Sequence, residues 1–179
     1  MDRVNNALTF ATNAHAGQTR KNSSEPYIEH PKRVSFILKQ ANLDEDIVIA
    51  GLLHDTVEDT PVTIEDIQAA FGDRVAEIVA SHTENKALSW EERKKHTIET
   101  VKAAPMEIKA LIVADKLDNI RSLVEQYGSL GENMWKAFKR GPDKQAWYNR
   151  SVADAIKEVD NPPAFFTEYR DLVAEFFNK

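Results

Sequence analysis

The sequence predicts an all-α protein, a single helical bundle of about eight to ten helices. Apolar residues recur at three- and four-residue spacing along most of the chain, and helix-capping residues stand before several of these runs. No segment alternates convincingly between apolar and polar side chains, as a half-buried strand would. Because no linker, low-complexity tract or internal repeat divides the chain, residues 1–179 are expected to form one domain.

The first three helices are indicated by apolar faces and by residues that begin or end a helix. The first carries apolar residues up to His15 and closes at Gly17. After a polar loop, Pro31 is expected at the first position of the second helix. Asp44 is expected to cap the third helix, whose apolar run ends at His54. A buried helix is therefore predicted to lead directly into a histidine.

Two capping pairs locate the helices in the middle of the chain. Thr63 with Asp66, and Ser89 with Glu92, each combine a hydroxyl N-cap with an acid three residues later. Gly72 interrupts the first of these segments, so two short helices are predicted around it. Three later helices are predicted, over residues 106–127, 142–160 and 163–179.

Composition and charge narrow the classes of function. The net charge of −6 disfavours binding to duplex nucleic acid, although local Arg and Lys side chains could still bind a small polyphosphate. No apolar run reaches the roughly 18 residues of a membrane span, and the N-terminus lacks a signal-peptide pattern, so no membrane partner and a cytoplasmic location are expected. Cysteine is absent, so any metal must be held by histidine and carboxylate.

Residues 52–60 read LLHDTVEDT, in which an apolar run ends in one histidine and three acids. These four ionisable groups would repel or desolvate one another unless a cation lies beside them. The cluster, which predicts a nearby counter-charge, consists of His54, Asp55, Glu58 and Asp59.

A second polar cluster lies in the segment EIKALIVADKLDNIRSL, residues 107–123. Helical spacing places Asp115 and Asn119 on the stripe that also carries Leu111, where aliphatic residues are expected. The two polar residues are four positions apart, so they share one helix face and could line a common pocket. The alternative is a core aspartate that is satisfied by a neighbouring arginine or a helix cap.

The segment QTRKNSSEPYIEHP, residues 18–31, places His30 directly before a proline. Taken alone, such a histidine is more often a surface or packing residue. With the two clusters above, however, the chain offers two imidazoles and two carboxylates, a donor set that suits a divalent first-row ion. The four candidate ligands are His30, His54, Asp55 and Asp115.

These motifs resemble a known family. The HD pair at 54 and 55, with a histidine before it and an aspartate after it, resembles the metal-binding pattern of the HD phosphohydrolase superfamily. The segments RKNSSEPYIEHP, LLHDTVEDT, FGDRVAEIV and ADKLDNIRSL are similar to the hydrolase domain of Rel/Spo-type alarmone enzymes, and most similar to free-standing small alarmone hydrolases. The resemblance covers roughly residues 1–125 and implies an HD-type helical domain without a synthetase.

The resemblance implies a hydrolase that removes pyrophosphate from the ribose 3′ position of (p)ppGpp, usually with Mn²⁺. It implies that His30, His54, Asp55 and Asp115 are the metal ligands. It also implies that an acidic pair, Glu58 and Asp59, orients and deprotonates a water molecule at the ion.

The same resemblance implies which residues bind the nucleotide. Arg20 and Lys21 match the basic pair, an arginine that stacks on the purine and a lysine that meets phosphate. Asn119 matches a residue near the ribose and base. Lys116 and Arg121 are further candidates, and the alternative for each is a solvated helix face.

Two other functions remain open at this point. One is an HD phosphohydrolase that acts on another nucleotide or a phosphorylated cofactor, and the other is a non-catalytic nucleotide-binding regulatory module. The RK pair combined with EPYIEHP and ADKLDN favours an alarmone hydrolase, and the intact ligands and acidic pair disfavour a non-catalytic module. The preference for guanine or adenine, the native metal, the oligomeric state, the role of residues 125–179 and any pairing with an alarmone-making toxin stay undetermined.

The remaining histidines and two C-terminal aromatic residues have simpler interpretations. His15, His82 and His96 lack acidic partners at ligand spacing and are interpreted as structural. Trp147 and Tyr148 could contact a base, but an aromatic pair on a terminal helix is more often part of the core.

Overall fold

The chain folds into helices that pack around one central helix, and the computed structural model describes residues 2–178. Within these residues, β-structure is limited to one isolated antiparallel bridge, between Thr19 and Pro26. The prediction of an all-α fold is confirmed. The ten α-helices are α1 Arg3–Ala14, α2 Glu29–Gln40, α3 Glu45–Leu53, α4 Thr56–Asp59, α5 Ile64–Phe71, α6 Asp73–Ser81, α7 Trp90–Ala103, α8 Met106–Leu130, α9 Pro142–Ala155 and α10 Ala164–Phe177, with a 3-10 helix at Gly131–Ala137.

Helices α5 and α7, in the middle of the sequence, begin at the capping groups that the sequence predicted. Thr63 and Asp66 form a reciprocal capping box at the start of α5, and Ser89 and Glu92 form another at the start of α7. Gly72 separates α5 from α6 with a φ of 94°, a left-handed conformation that favours glycine. Local hydrogen bonding therefore fixes where these helices start.

Helix α3 lies at the centre of the fold, with every residue from Ile47 to Leu53 buried. Helices α1, α2, α6 and α8 pack around it. Gly51 permits the close approach of α2, because a Cβ atom there would lie 2.8 Å from Leu38 Cδ1 and 3.1 Å from Ser35 Cα. The end of α3 is thus held at a fixed position beside α2.

The start of α2 differs from the sequence prediction, which placed Pro31 at the first helical position. The helix begins at Glu29, because the N–H groups of Glu29 and His30 donate to the carbonyls of Pro26 and Tyr27, each at 3.1 Å. Proline is tolerated within the first turn, where its missing N–H would have no partner inside the helix. His30 therefore lies inside the helix and not before it.

Helix α8 is the longest in the described range, with 25 residues, and it ends at Gly131, which adopts a φ of 55°. It runs three residues beyond the predicted end, and the 3-10 helix that follows was not predicted. Helix α9 ends at Ala155, before the predicted residue 160, and α10 packs against both α8 and α9.

Among residues 2–178, no helix combines the length and apolar character needed to cross a bilayer.

Candidate metal centre

Three helices bring the four predicted metal ligands together. His30 lies in the first turn of α2, His54 and Asp55 follow the last residue of α3, and Asp115 lies midway along α8. His30 Nε2 is 3.1 Å from Asp115 Oδ1 and 3.5 Å from Asp55 Oδ2. His54 Nε2 is 3.1 Å from Asp55 Oδ2 and 3.6 Å from Asp115 Oδ1. Two ring nitrogens and two carboxylate oxygens therefore face one another.

The environment of His54 tests whether this cluster fits a cation. Its Nδ1 atom lies 2.8 Å from the carbonyl oxygen of Gly51, which can only accept, so Nδ1 carries a proton. Among residues 2–178, the buried Nε2 atom has no hydrogen-bond partner, although Asp55 Oδ2 lies 3.1 Å from it. Burial lowers the pKa of His54, but Asp55 and Asp115 outweigh burial and raise it well above its ordinary value. The donor set therefore fits a divalent metal ion.

A buried carboxylate that sequence reasoning missed orients His30. Asp118 Oδ2 lies 2.6 Å from His30 Nδ1, and Asp118 Oδ1 accepts a hydrogen bond from Arg33 Nε at 2.7 Å. The Arg33 guanidinium also donates twice to Glu25, at 2.8 and 3.0 Å. Burial raises the pKa of Asp118, but His30 and Arg33 together lower it below its usual value. The ionised carboxylate therefore holds Nδ1–H and leaves His30 Nε2 facing the cluster.

Asp115 is held by three donors. Its Oδ2 atom accepts hydrogen bonds from His82 Nε2 and Lys116 Nζ, both at 2.8 Å. Its Oδ1 atom accepts one from Asn119 Nδ2 at 2.9 Å. Burial raises the pKa of Asp115, but Lys116 and the surrounding histidines hold it well below its ordinary range. The alternative of a core aspartate that is satisfied by an arginine or a helix cap is therefore wrong.

The interpretation that His82 lacks an acidic partner is wrong, because its ring contacts Asp115. His82 follows the last residue of α6, and its ring is stacked on that of His54 with centroids 5.9 Å apart and planes inclined by 19°. Its partner, Asp115, is 33 residues away, so no local spacing could have revealed the contact. Burial lowers the pKa of His82, which favours the neutral ring. His96, by contrast, is exposed on α7.

The acidic pair lies on the one-turn helix α4, which the sequence did not predict. One carboxylate oxygen from each of Asp55, Glu58 and Asp59 lies within 4.8 Å of the other two. Glu58 Oε1 accepts the backbone N–H of Glu84 at 2.9 Å, and Asp59 pairs with Lys86 Nζ at 2.8 Å. Burial and the charge of Asp55 raise the pKa of Glu58 to about 7. Glu58 can therefore exchange a proton near neutral pH.

A cavity of about 690 Å³ opens beside this centre, and four of the five nucleotide-binding candidates line it: Arg20, Lys21, Lys116 and Asn119. Arg20 Nη2 donates to Asn119 Oδ1 at 3.0 Å, and the guanidinium carbon lies 5.5 Å from the centroid of the Tyr27 ring. Lys21 Nζ lies 4.4 Å from the centroid of the Phe138 ring. The cavity therefore combines cations with aromatic faces.

The two further basic candidates on α8 have different environments. Lys116 is largely shielded from solvent beside Asp115, whose charge outweighs burial and raises the pKa of Lys116 well above its usual value. The interpretation as a solvated helix face is therefore wrong for Lys116. Arg121 is exposed, and its Nε donates to Glu168 at 3.0 Å, so that interpretation fits Arg121.

Tyr148 belongs to the core and to the cavity wall at once. Lys94 Nζ and Lys116 Nζ lie 5.0 and 5.5 Å from the centroid of its ring. Its buried hydroxyl has no hydrogen-bond partner in the part of the chain that the structure describes. Both Trp147 and Tyr148 have ring centroids 6.2 Å from that of Trp90, but Trp147 does not line the cavity. Of the two aromatic residues, Tyr148 is thus the one that a ligand in the cavity would meet.

A helical bundle that gathers a histidine–aspartate pair with a second histidine and a distant aspartate defines the HD class of metal-binding folds. The chain belongs to the HD domain family, whose model matches residues 7–135. This match extends beyond residue 125, where the resemblance had been expected to fade.

Similar proteins include alarmone enzymes from bacteria and animals. The chain is 38% identical over 168 residues to the bifunctional (p)ppGpp synthase/hydrolase SpoT of Escherichia coli K12, a match that covers 90% of this chain and 21% of SpoT. It is 40% identical over 119 residues to MESH1 of Drosophila melanogaster, a guanosine-3′,5′-bis(diphosphate) 3′-pyrophosphohydrolase, covering 65% of this chain and 66% of MESH1. The chain thus spans about a fifth of the length of the bacterial SpoT relative.

Two solved structures share the fold. The crystal structure of lmo0812 from Listeria monocytogenes EGD-e is 54% identical with a TM-score of 0.80, and the match covers 84% of this chain and 99% of that one. A metazoan orthologue of SpoT, described as hydrolysing ppGpp, is 30% identical with a TM-score of 0.81, covering 98% of this chain and 96% of the other. The helical architecture therefore extends beyond the region that the family model matches.

Proposed function

We propose that this protein is a metal-dependent phosphohydrolase that removes pyrophosphate from the 3′ position of guanosine alarmones, converting ppGpp to GDP. The observation that carries the proposal is the position of the histidine–aspartate cluster and the α4 acids on the wall of one cavity lined by cations. The names of SpoT and MESH1 support the same substrate class. An HD phosphohydrolase for another nucleotide is the alternative.

The proposed metal ligands are His30, His54, Asp55 and Asp115. A divalent ion held by them would offset negative charge on a phosphoryl group and lower the pKa of a water molecule. We propose Mn²⁺ as this ion because the resemblance to alarmone hydrolases implies it. The imidazole and carboxylate donors by themselves suit a divalent first-row ion. We also propose that the protein is cytoplasmic and that residues 1–179 form a single HD domain.

Glu58 is the proposed proton acceptor. Its pKa of about 7 lets the ionised carboxylate take a proton from the attacking water near neutral pH. The N–H of Glu84 holds one carboxylate oxygen of Glu58, which leaves the other free to accept. Asp59 is proposed to orient the water, since its carboxylate lies beside those of Asp55 and Glu58.

The nucleotide would be anchored by the cations of the cavity. Arg20 is proposed to stack on the base, Lys21 to meet phosphate, and Asn119 to contact the ribose. Lys116 is proposed to offset charge on the phosphoryl groups next to Asp115, and Lys94 adds a second cation on the Tyr148 side. A nucleotide held in this way would present its 3′ side to the metal centre.

The test is a panel of 3′- and 5′-phosphorylated nucleotides incubated with enzyme and Mn²⁺, with the products resolved by chromatography. We expect ppGpp to yield GDP and intact pyrophosphate, with little action on GTP or GDP. Asp115→Ala is the matched control and is expected to lose both bound Mn²⁺ and activity.

Other outcomes separate the alternatives. Orthophosphate as the first product, or efficient hydrolysis of nucleotides that lack a 3′ phosphate, would favour an HD phosphohydrolase with another substrate. Nucleotide binding without turnover of any compound in the panel would favour a regulatory module.

A further inference from the structure

The two oxygens of the Asp115 carboxylate have different surroundings. Oδ1 lies 3.1 Å from His30 Nε2 and 3.6 Å from His54 Nε2, so it is the oxygen that faces the other ligands. Oδ2 accepts from His82 Nε2 and Lys116 Nζ, both at 2.8 Å. Two donors therefore hold Oδ2 away from the centre of the cluster.

His82 is a donor to this carboxylate and not a ligand beside it. An ionised carboxylate can only accept, so the His82 Nε2 atom that contacts it carries the ring proton and has no free lone pair. Burial and stacking on His54 hold the ring in place, and its side chain is only 6% exposed. The ring therefore has little freedom to release Asp115.

Lys116, the second donor to Asp115 Oδ2, is expected to keep its hydrogen bond less consistently than His82 does. Its flexible side chain also lines the nucleotide cavity, where a phosphate would compete for its ammonium group. His82 makes its hydrogen bond through a ring that is fixed by packing. If a bound phosphate drew Lys116 away, His82 would still hold Oδ2.

We propose that His82 is a positioning residue that fixes the Asp115 carboxylate, so that only Oδ1 is presented to the metal ion. This inference rests on the proposed metal site but not on the identity of the nucleotide. Hydrogen-bonding partners of metal ligands commonly change metal affinity by about 10- to 100-fold when they are removed. His82 therefore sets metal affinity without touching the ion.

Calorimetric titration of chelator-treated protein with Mn²⁺ tests the proposal. His82→Val removes the donor and is expected to weaken binding by about 10- to 100-fold. His82→Gln keeps an amide donor that can reach Oδ2, and its affinity is expected to lie close to that of the wild type. His82→Asn keeps the amide but shortens the side chain, so it should behave like His82→Val. His96→Val changes an exposed histidine and is the control.

The outcomes distinguish positioning from packing. Equal Mn²⁺ affinity in wild type and His82→Val, or in wild type and His82→Asn if the valine variant does not fold, would overturn the proposal. Failure of His82→Gln to restore affinity, with a lowered unfolding temperature of the metal-free protein, would show a structural role only. Absence of Mn²⁺ binding by the wild type would overturn the metal site itself, which separates that failure from a failure of His82 alone.

Discussion

Asp118 Oδ2 lies 2.6 Å from His30 Nδ1, and this contact decides which nitrogen of His30 faces the metal centre. Asp118 is itself held by Arg33, which connects a solvent-facing ion pair with Glu25 to the buried ligand. A carboxylate in this position fixes the tautomer of a ligand histidine and increases its basicity. If this cluster binds a metal ion as proposed, the affinity is expected to depend on Asp118 and Arg33, which do not belong to the proposed ligand set.

Replacing Asp118 tests this dependence. Asp118→Asn is expected to weaken Mn²⁺ binding by about 10- to 100-fold, because the amide lacks the charge that holds Nδ1–H. Calorimetry on metal-free protein measures the change, and Asp143→Asn, an exposed substitution, is the control. Unchanged affinity in Asp118→Asn would show that the contact is only structural.

The acidic pair should separate metal binding from turnover. Glu58→Gln and Asp59→Asn are each expected to keep the bound ion while lowering kcat by about 10² or more, the usual effect of removing a positioned acid or base. Metal analysis of the purified variants and steady-state kinetics with ppGpp provide the two measurements. A parallel loss of metal and activity would instead make the pair ligands.

Glu58 should also make the stability of the metal-free protein depend on pH. Its pKa rises on folding from 4.5 to about 7, so its contribution to stability is fully present below pH 4.5 and is lost as the pH rises through 7. At pH 8, Glu58→Gln is expected to be more stable than wild type by up to about 3 kcal/mol. Urea denaturation at pH 4.5 and 8 with chelator present measures the difference. A stability difference that does not change with pH would contradict the assignment.

Arg20→Ala is expected to raise KM more than it lowers kcat. Stacking on a purine is largely the same in the ground and transition states, so its loss weakens binding without a matching loss in the chemical step. Arg20→Lys keeps the charge but not the planar guanidinium, and it should show a similar KM defect. A change confined to kcat would place Arg20 in the chemistry instead.

Much of the fold, and the HD pair of the candidate metal centre, could be predicted from sequence because their signals are local. The capping box of Thr63 and Asp66 satisfies backbone groups within one turn, and the HD pair at 54 and 55 is contiguous. The pairing of His30 with Asp118 joins residues 88 positions apart and depends on how α2 packs on α8. No periodicity encodes such a contact.

The same limit explains why two side chains were assigned to the wrong environment. Lys116 has the spacing of a solvated residue, yet α7 packs against α8. Glu84 from the α6–α7 connection and Tyr148 from α9 lie near its ammonium group. His82 gains its partner only when the end of α6 meets α8. Tertiary packing, rather than local propensity, decides the charge state and role of both.

Gly51 has a consequence for the metal centre that lies one turn away from it. His30 belongs to α2 and His54 follows α3, so the distance between the two imidazoles depends on how closely these helices approach. A methyl group at position 51 would meet Leu38 Cδ1 at 2.8 Å and the backbone of Ser35 at 3.1 Å, and α2 would have to move outward. The separation of the two imidazoles therefore depends on the absence of a side chain at position 51. If His30 and His54 bind a metal ion as proposed, the packing of two apolar helices sets the size of the ion that fits between them.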